Sequence, residues 1–209
     1  MTTKISSQEA IPGILKIKFR KGMPLRWGGS DMSREEFLDF CVENNELRIE
    51  RSAEGQLIIM PPTTSETGNQ NFELSIEIGI WNRQHKLGVA FDSSTGFTLP
   101  NGAERSPDTA WIRQDRWDAL NLNERKKFAR ITPDFIIELR SENQSLSLLR
   151  EKLDEYMESG CRLGWLVDPQ KRRTYVYSEN GEIQTIPFED ILAGADVLPG
   201  LEVILAEIL

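Results

Sequence analysis

Two short segments, Ser106-Pro-Asp-Thr-Ala-Trp-Ile112 and Pro133-Asp-Phe-Ile-Ile-Glu-Leu-Arg-Ser141, each set a carboxylate into what otherwise reads as a buried β-strand. Asp108 opens one apolar run and Glu138 interrupts the other. An ionised carboxylate among Phe135, Ile136, Ile137 and Leu139 costs several kcal/mol unless a cation or a set of donors meets it. The strands are therefore expected to share a positively charged neighbourhood.

Strand alternation puts Asp134, Ile136, Glu138 and Arg140 on one face, and Phe135, Ile137 and Leu139 on the other. If Asp108 lies near the end of an adjacent antiparallel strand, the two carboxylates can share a divalent ion. Hard oxygen ligands of this kind favour magnesium or manganese. Lys152 sits on the border of an apolar helix stripe, offset from Leu149 and Tyr156, so its long side chain can reach back over the sheet. Its ammonium would orient a water or stabilise charge during attack. Glu66, at the start of a long helix, could add a carboxylate through a metal-bound water.

The remaining elements follow from capping and periodicity. Leu15 to Lys21 alternates apolar and basic residues, as an edge strand does. Ser30 or Asp31 and Ser33 offer caps for a helix over residues 33–44. Leu47 to Arg51 and Gln56 to Met60 read as a hairpin stopped by Pro61-Pro62. Thr63-Thr64-Ser65 caps a helix whose apolar face holds Phe72, Ile76 and Ile80, widened by Leu74, Ile78 and Trp81, and which Gly88 ends. Short strands follow at Val89 to Phe91 and Gly96 to Leu99, then a polar stretch from Arg113 to Arg130. A helix from Ser145 to Ser159 precedes strands at Arg162 to Asp168 and Thr174 to Tyr177, and Leu198 to Leu205 reads as a final strand or packed tail. This order predicts an α/β fold, a mixed sheet flanked by helices, with an N-terminal extension over 1–31 and one folding unit over 32–209.

A chain of 209 residues with 39% hydrophobic content supports one substantial core. No stretch has the length of a membrane span, and the first residues lack the apolar core of a secretory signal, so the expectation is a cytoplasmic chain. Cys41 and Cys161 lack the paired spacing of a zinc site and read as free thiols. A net charge of -8 argues against a protein that coats nucleic acid nonspecifically, but not against a DNA enzyme. His85 is the only histidine, which counts against a histidine zinc centre or a Ser-His-Asp triad, and no phosphate-binding glycine fingerprint is present.

Taken together, Met32-Ser-Arg-Glu-Glu-Phe-Leu38, Met60-Pro-Pro with Ser65-Glu66, Ser106-Pro-Asp108, Pro133 to Ser141, Lys152-Leu-Asp-Glu-Tyr156 and Gly164-Trp-Leu-Val-Asp-Pro169 form an ordered set. In order and spacing this set resembles the Uma-type putative restriction endonuclease family, a branch of the PD-(D/E)xK nuclease superfamily. The resemblance spans about Met32 to Tyr177. It implies a restriction-endonuclease-like α/β core, Asp108 and Glu138 as metal ligands, Glu66 as an auxiliary acid, and the lysine moved from the Glu138 strand to the following helix at Lys152. Arg140 stands where the superfamily commonly has that lysine; it stays protonated and so cannot act as a base, but it can stabilise charge or bind phosphate. Thr67 replaces the histidine that often follows the helix-start glutamate.

Each residue also has a purely structural reading. Asp108 can cap a turn after Pro107, Glu138 can pair with Arg140 or Lys152, Lys152 can pair with Glu151 or Glu155 on an exposed face, and Glu66 suits a helix N-terminus. The function expected is magnesium-dependent hydrolysis of DNA, with manganese as an alternative metal and a homodimer as the form that cuts both strands. The competing expectation is a non-catalytic binding or regulatory module that keeps the nuclease fold.

Overall fold

The computed structural model describes residues 25–27 and 32–209. The strand expected over Leu15 to Lys21 and the caps at Ser30 and Asp31 lie outside the described residues. The helices are α1 (Arg34–Glu43), α2 (Ser65–His85), α3 (Gln114–Asp118), α4 (Leu122–Arg125) and α5 (Leu146–Glu158). The strands are β1 (Leu25–Trp27), β2 (Arg48–Arg51), β3 (Leu57–Met60), β4 (Gly88–Asp92), β5 (Phe97–Thr98), β6 (Glu104–Arg105), β7 (Thr109–Arg113), β8 (Phe135–Leu139), β9 (Leu163–Asp168), β10 (Arg173–Ser178), β11 (Ile183–Pro187), β12 (Ile191–Ala193) and β13 (Glu202–Ile204).

A six-stranded sheet runs β11-β10-β9-β8-β7-β4, and a five-stranded sheet runs β1-β3-β2-β6-β5. In the larger sheet β8 and β9 are parallel while the other pairs are antiparallel. Parallel neighbours need a crossover connection, and α5 supplies it. The alternation expected for β8 sorts its residues between two cores. Phe135, Ile137 and Leu139 pack in the core that holds Leu74, Ile78 and Trp81 of α2, whereas Ile136 packs with Leu149, Leu153 and Tyr156 of α5. Glu138 therefore faces α5.

Local sequence explains the helix ends. Ser33 and Glu36 form a reciprocal capping box at the start of α1, and the Thr64 hydroxyl accepts the amide of Thr67 at 3.2 Å to start α2. At the other end of α2 the structure departs from expectation. Lys86, in the left-handed conformation at φ 55°, closes the helix, and Gly88 instead begins β4. A Cβ on Gly88 would lie 2.2 Å from the carbonyl oxygen of Ile112 and 2.5 Å from the Trp111 ring, so close strand approach explains this glycine.

The buried face of α2 also differs from expectation. Leu74, Ile78 and Trp81 are buried, while Phe72 and Ile80 remain 63% and 46% exposed. Both apolar rows have helical spacing, and only the one facing β7 and β8 meets the sheet. Cys161 is buried, Cys41 is half-buried, and both thiols are free. Among the described residues no helix is long and apolar enough to cross a membrane.

Candidate functional site

Asp108 directly precedes β7, which pairs antiparallel with β8 in a register that sets Thr109 opposite Ile137. The Asp108 amide donates to the Ile137 carbonyl at 3.0 Å, and its Oδ2 accepts the Leu139 amide at 2.9 Å. Two backbone bonds thus fix this carboxylate at the end of the Glu138 strand. Its other oxygen, Oδ1, stands 3.2 Å from Nη2 of Arg48 on β2.

Lys152 reaches into the interior from the second turn of α5. Its Nζ lies 2.7 Å from Glu138 Oε1 and 2.8 Å from Glu50 Oε1, and donates to the Ser106 carbonyl at 3.4 Å. The contact with Glu138 is a close ion pair inside the protein. Glu50 is braced further by Arg105 Nη1 at 3.2 Å and by the Ser106 amide at 3.0 Å. Arg105 also pairs with Glu155. Glu155 is thus used on Arg105, and the pairing of Lys152 is with the sheet carboxylates.

Burial governs the proton affinities here. Removal from water pushes the Glu138 carboxyl up to about 8, against the pull of Lys152, and the nearby charges of Asp108 and Glu50 push in the same direction as burial. Burial acts on Glu50 in the same sense, but Lys152 and Arg105 outweigh it and hold Glu50 below the usual carboxylate range. Burial would lower Lys152, yet Glu138 and Glu50 raise it and keep the ammonium charged. Two buried carboxylates around one ammonium thus have divergent proton affinities. Such divergence separates groups that hold protons from groups that hold charge.

The other expected site residues lie elsewhere. Arg140 donates from Nη1 to both oxygens of Asp168 at 3.1 and 3.0 Å and from Nε to the Gln144 carbonyl at 3.1 Å, so its guanidinium is used on a buried aspartate rather than on Glu138. Glu66 is exposed in the first turn of α2, with no ion pair or hydrogen bond to the cluster among the described residues. Asp134, which was not an expected site residue, accepts the Arg113 amide at 2.9 Å and pairs with Arg116 at 2.8 Å, a structural use at the head of β8.

Glu50, Arg105 and Arg48 escaped the sequence reading. The alternation of β2 does place Arg48 and Glu50 on one face, a pair of charges inside a strand that already read as half of a hairpin. What had no signal was the approach of that hairpin to α5.

The sequence profile of the Uma2 family, described as putative restriction endonuclease, matches residues 34–207. The chain belongs to the Uma2 family. A crystal structure of a putative nuclease belonging to DUF820 from Anabaena variabilis ATCC 29413 is similar at a TM-score of 0.67 and 20% identity, covering 78% of this chain and 90% of that one. Its likeness shows the shared fold, and the mixed sheet flanked by helices is the core that the Uma2 resemblance implied. No curated protein matches the chain.

Proposed function

We propose that this Uma2 protein is a metal-dependent endonuclease that hydrolyses DNA phosphodiester bonds. The observation that carries the proposal is the placement of Lys152 against Glu138, with Asp108 fixed at the end of the neighbouring antiparallel strand. An ammonium against one strand carboxylate, with a second carboxylate at the end of the paired strand, offers what hydrolysis of a phosphodiester can use: ligands for a hard cation and a fixed positive charge for the attacked phosphate.

Asp108 and Glu138 are the residues that would hold magnesium or manganese. Both are hard oxygen donors, and Asp108 has Oδ2 fixed on the Leu139 amide while Oδ1, among the described residues, meets only Arg48, which supports the fit. Among the described residues no group of three or more His, Cys, Asp or Glu gathers around a common point. A cation held by Asp108 and Glu138 would have to complete its shell with water and phosphate oxygens, as magnesium does. Such a cation would supply an activated water and neutralise charge on the phosphate.

The chain's own groups do the rest. Lys152 would stabilise the negative charge that develops at the attacked phosphate, and Glu50 and the Ser106 carbonyl hold its ammonium in place for that task. Burial raises the proton affinity of Glu138, so a cation bound there would compete with a proton as well as with Lys152. A homodimer would present two such centres to a duplex, and sedimentation with and without a DNA duplex tests that assembly.

A specific observation favours a second reading. Glu50, Asp108 and Glu138 are each already matched by a cation, Lys152, Arg105 or Arg48, which a non-catalytic module using the cluster as internal scaffolding would also show. Calorimetric titration of manganese into the wild type, Asp108→Ala and Glu138→Ala separates the two. Binding that both substitutions abolish, followed by cleavage of plasmid DNA, is the expected result. Binding and cleavage that survive Glu138→Ala would overturn the proposal.

A further inference from the structure

Arg48 takes no part in the reading above except as the cation on Asp108, and three features set it apart. First, the carboxylates of the cluster stand among three cationic side chains, Lys152, Arg105 and Arg48, so a divalent cation enters more readily if a positive group withdraws. Second, the three cations differ in freedom to withdraw: the side chain of Arg48 is 35% exposed, against 13% for Lys152 and 10% for Arg105. Third, Arg48 is incompletely satisfied where it stands. Its Nη2 reaches Asp108 Oδ1 at 3.2 Å and the Ser106 carbonyl at 3.3 Å, while its Nε is buried with no acceptor among the described residues. A buried guanidinium N–H without an acceptor weakens the hold of that position.

We infer that Arg48 is a built-in competitor for the divalent cation: it occupies Asp108, gives way when a metal takes that carboxylate, and then binds a phosphate of the nucleic acid. The inference rests on the metal reading of Asp108 and Glu138. The geometry supports the exchange because Asp108 need not move for it. Oδ2 stays on the Leu139 amide, and only the partner of Oδ1 changes. A guanidinium released at the half-exposed edge of a carboxylate cluster is well suited to a phosphate, whose oxygens match its forked donors. The same residue would thereby withhold strong metal affinity until a phosphate is present to accept its charge.

Manganese calorimetry on wild type and Arg48→Gln, without DNA, tests the competition. The expected result is metal binding that is tighter in the variant by ~5-fold or more, the size of a modest coupling between sites. The phosphate half is read by anisotropy on a labelled duplex in calcium across a salt series, where Arg48→Gln should bind more weakly with a salt slope shallower by about 0.9. Arg48→Met, which keeps the apolar stem, repeats both measurements should the glutamine variant fail to fold. Metal affinity that is unchanged or weaker in the variant overturns the competition, and duplex affinity with an unaltered salt slope overturns the phosphate role. If manganese binds neither protein, the metal reading of Asp108 and Glu138 fails first and takes this inference with it.

Discussion

Lys152 Nζ lies 2.8 Å from Glu50 Oε1, joining the crossover helix of the larger sheet to a strand of the smaller one. This contact makes the smaller sheet part of the candidate centre. It also means that Glu138 competes for an ammonium already held from another direction.

Removing that hold should destabilise the fold and disturb the lysine. Glu50→Gln leaves Lys152 and Arg105 each short of a buried partner, at a cost of about 3 kcal/mol or more. Urea unfolding at neutral pH measures the loss. A midpoint within error of wild type would show that the Glu50 contacts contribute nothing net.

The raised carboxyl of Glu138 carries a pH signature of definite sign. Its folded pKa of about 8 lies above the ordinary value of 4.5, so the folded state binds the proton more tightly. The stability this contributes is complete below about pH 4.5 and is lost as pH rises through about 8. Glu138→Gln, which cannot ionise, should lack this decline. Parallel urea titrations from pH 5 to pH 9 should show the wild type falling relative to the variant as pH rises, and parallel curves would contradict the assignment.

Manganese affinity should follow the same group in the opposite direction. If Glu138 is a metal ligand, its raised proton affinity sets protons against the cation, so affinity should climb with pH and level off above about 8. Calorimetry in two buffers of different ionisation enthalpy should detect proton release at neutral pH. Binding that releases no proton would place the metal away from Glu138.

Arg140 should prove to be a structural residue. Arg140→Ala strands the fully buried Asp168 and should cost about 3 kcal/mol. Its manganese affinity, measured well below the thermal midpoint, should match wild type. A selective loss of metal binding with stability intact would return Arg140 to the centre.

Gly88→Ala tests the corrected reading of this glycine. The added methyl meets the Ile112 carbonyl and the Trp111 ring, neither of which can yield easily, and the expected destabilisation is about 3 kcal/mol. Were Gly88 only a helix terminator, the change would cost far less, because Lys86 already provides the left-handed residue. Thermal melts of the two proteins decide the matter.

These cases show what the sequence could and could not disclose. The face of β8 that carries Glu138, the capped start of α1 and the inward row of Leu149, Leu153 and Tyr156 were all legible, because each is local periodicity or local capping. Lys152 was legible as a residue on the border of that row. Its pairing with Glu138 was one of the readings, but its second partner was not legible, since Glu50 lies on a separate sheet and no local pattern encodes how two sheets meet. The row on α2 was misjudged for a related reason. Phe72, Ile76 and Ile80 are as regular as Leu74, Ile78 and Trp81, and periodicity cannot choose between two regular rows without knowing where the sheet lies.

The parallel pairing of β8 with β9 has a consequence for the order in which the protein forms. Glu138 belongs to the strand before the crossover and Lys152 to the crossover itself, while Glu50, Arg105 and Asp108 all precede both in the chain. The helix that carries the ammonium thus lies inside a non-local parallel pairing, a slow kind of contact to form, so Lys152 is expected to reach Glu50 late in folding, after Arg105 and Arg48 have had the chance to meet the earlier acids.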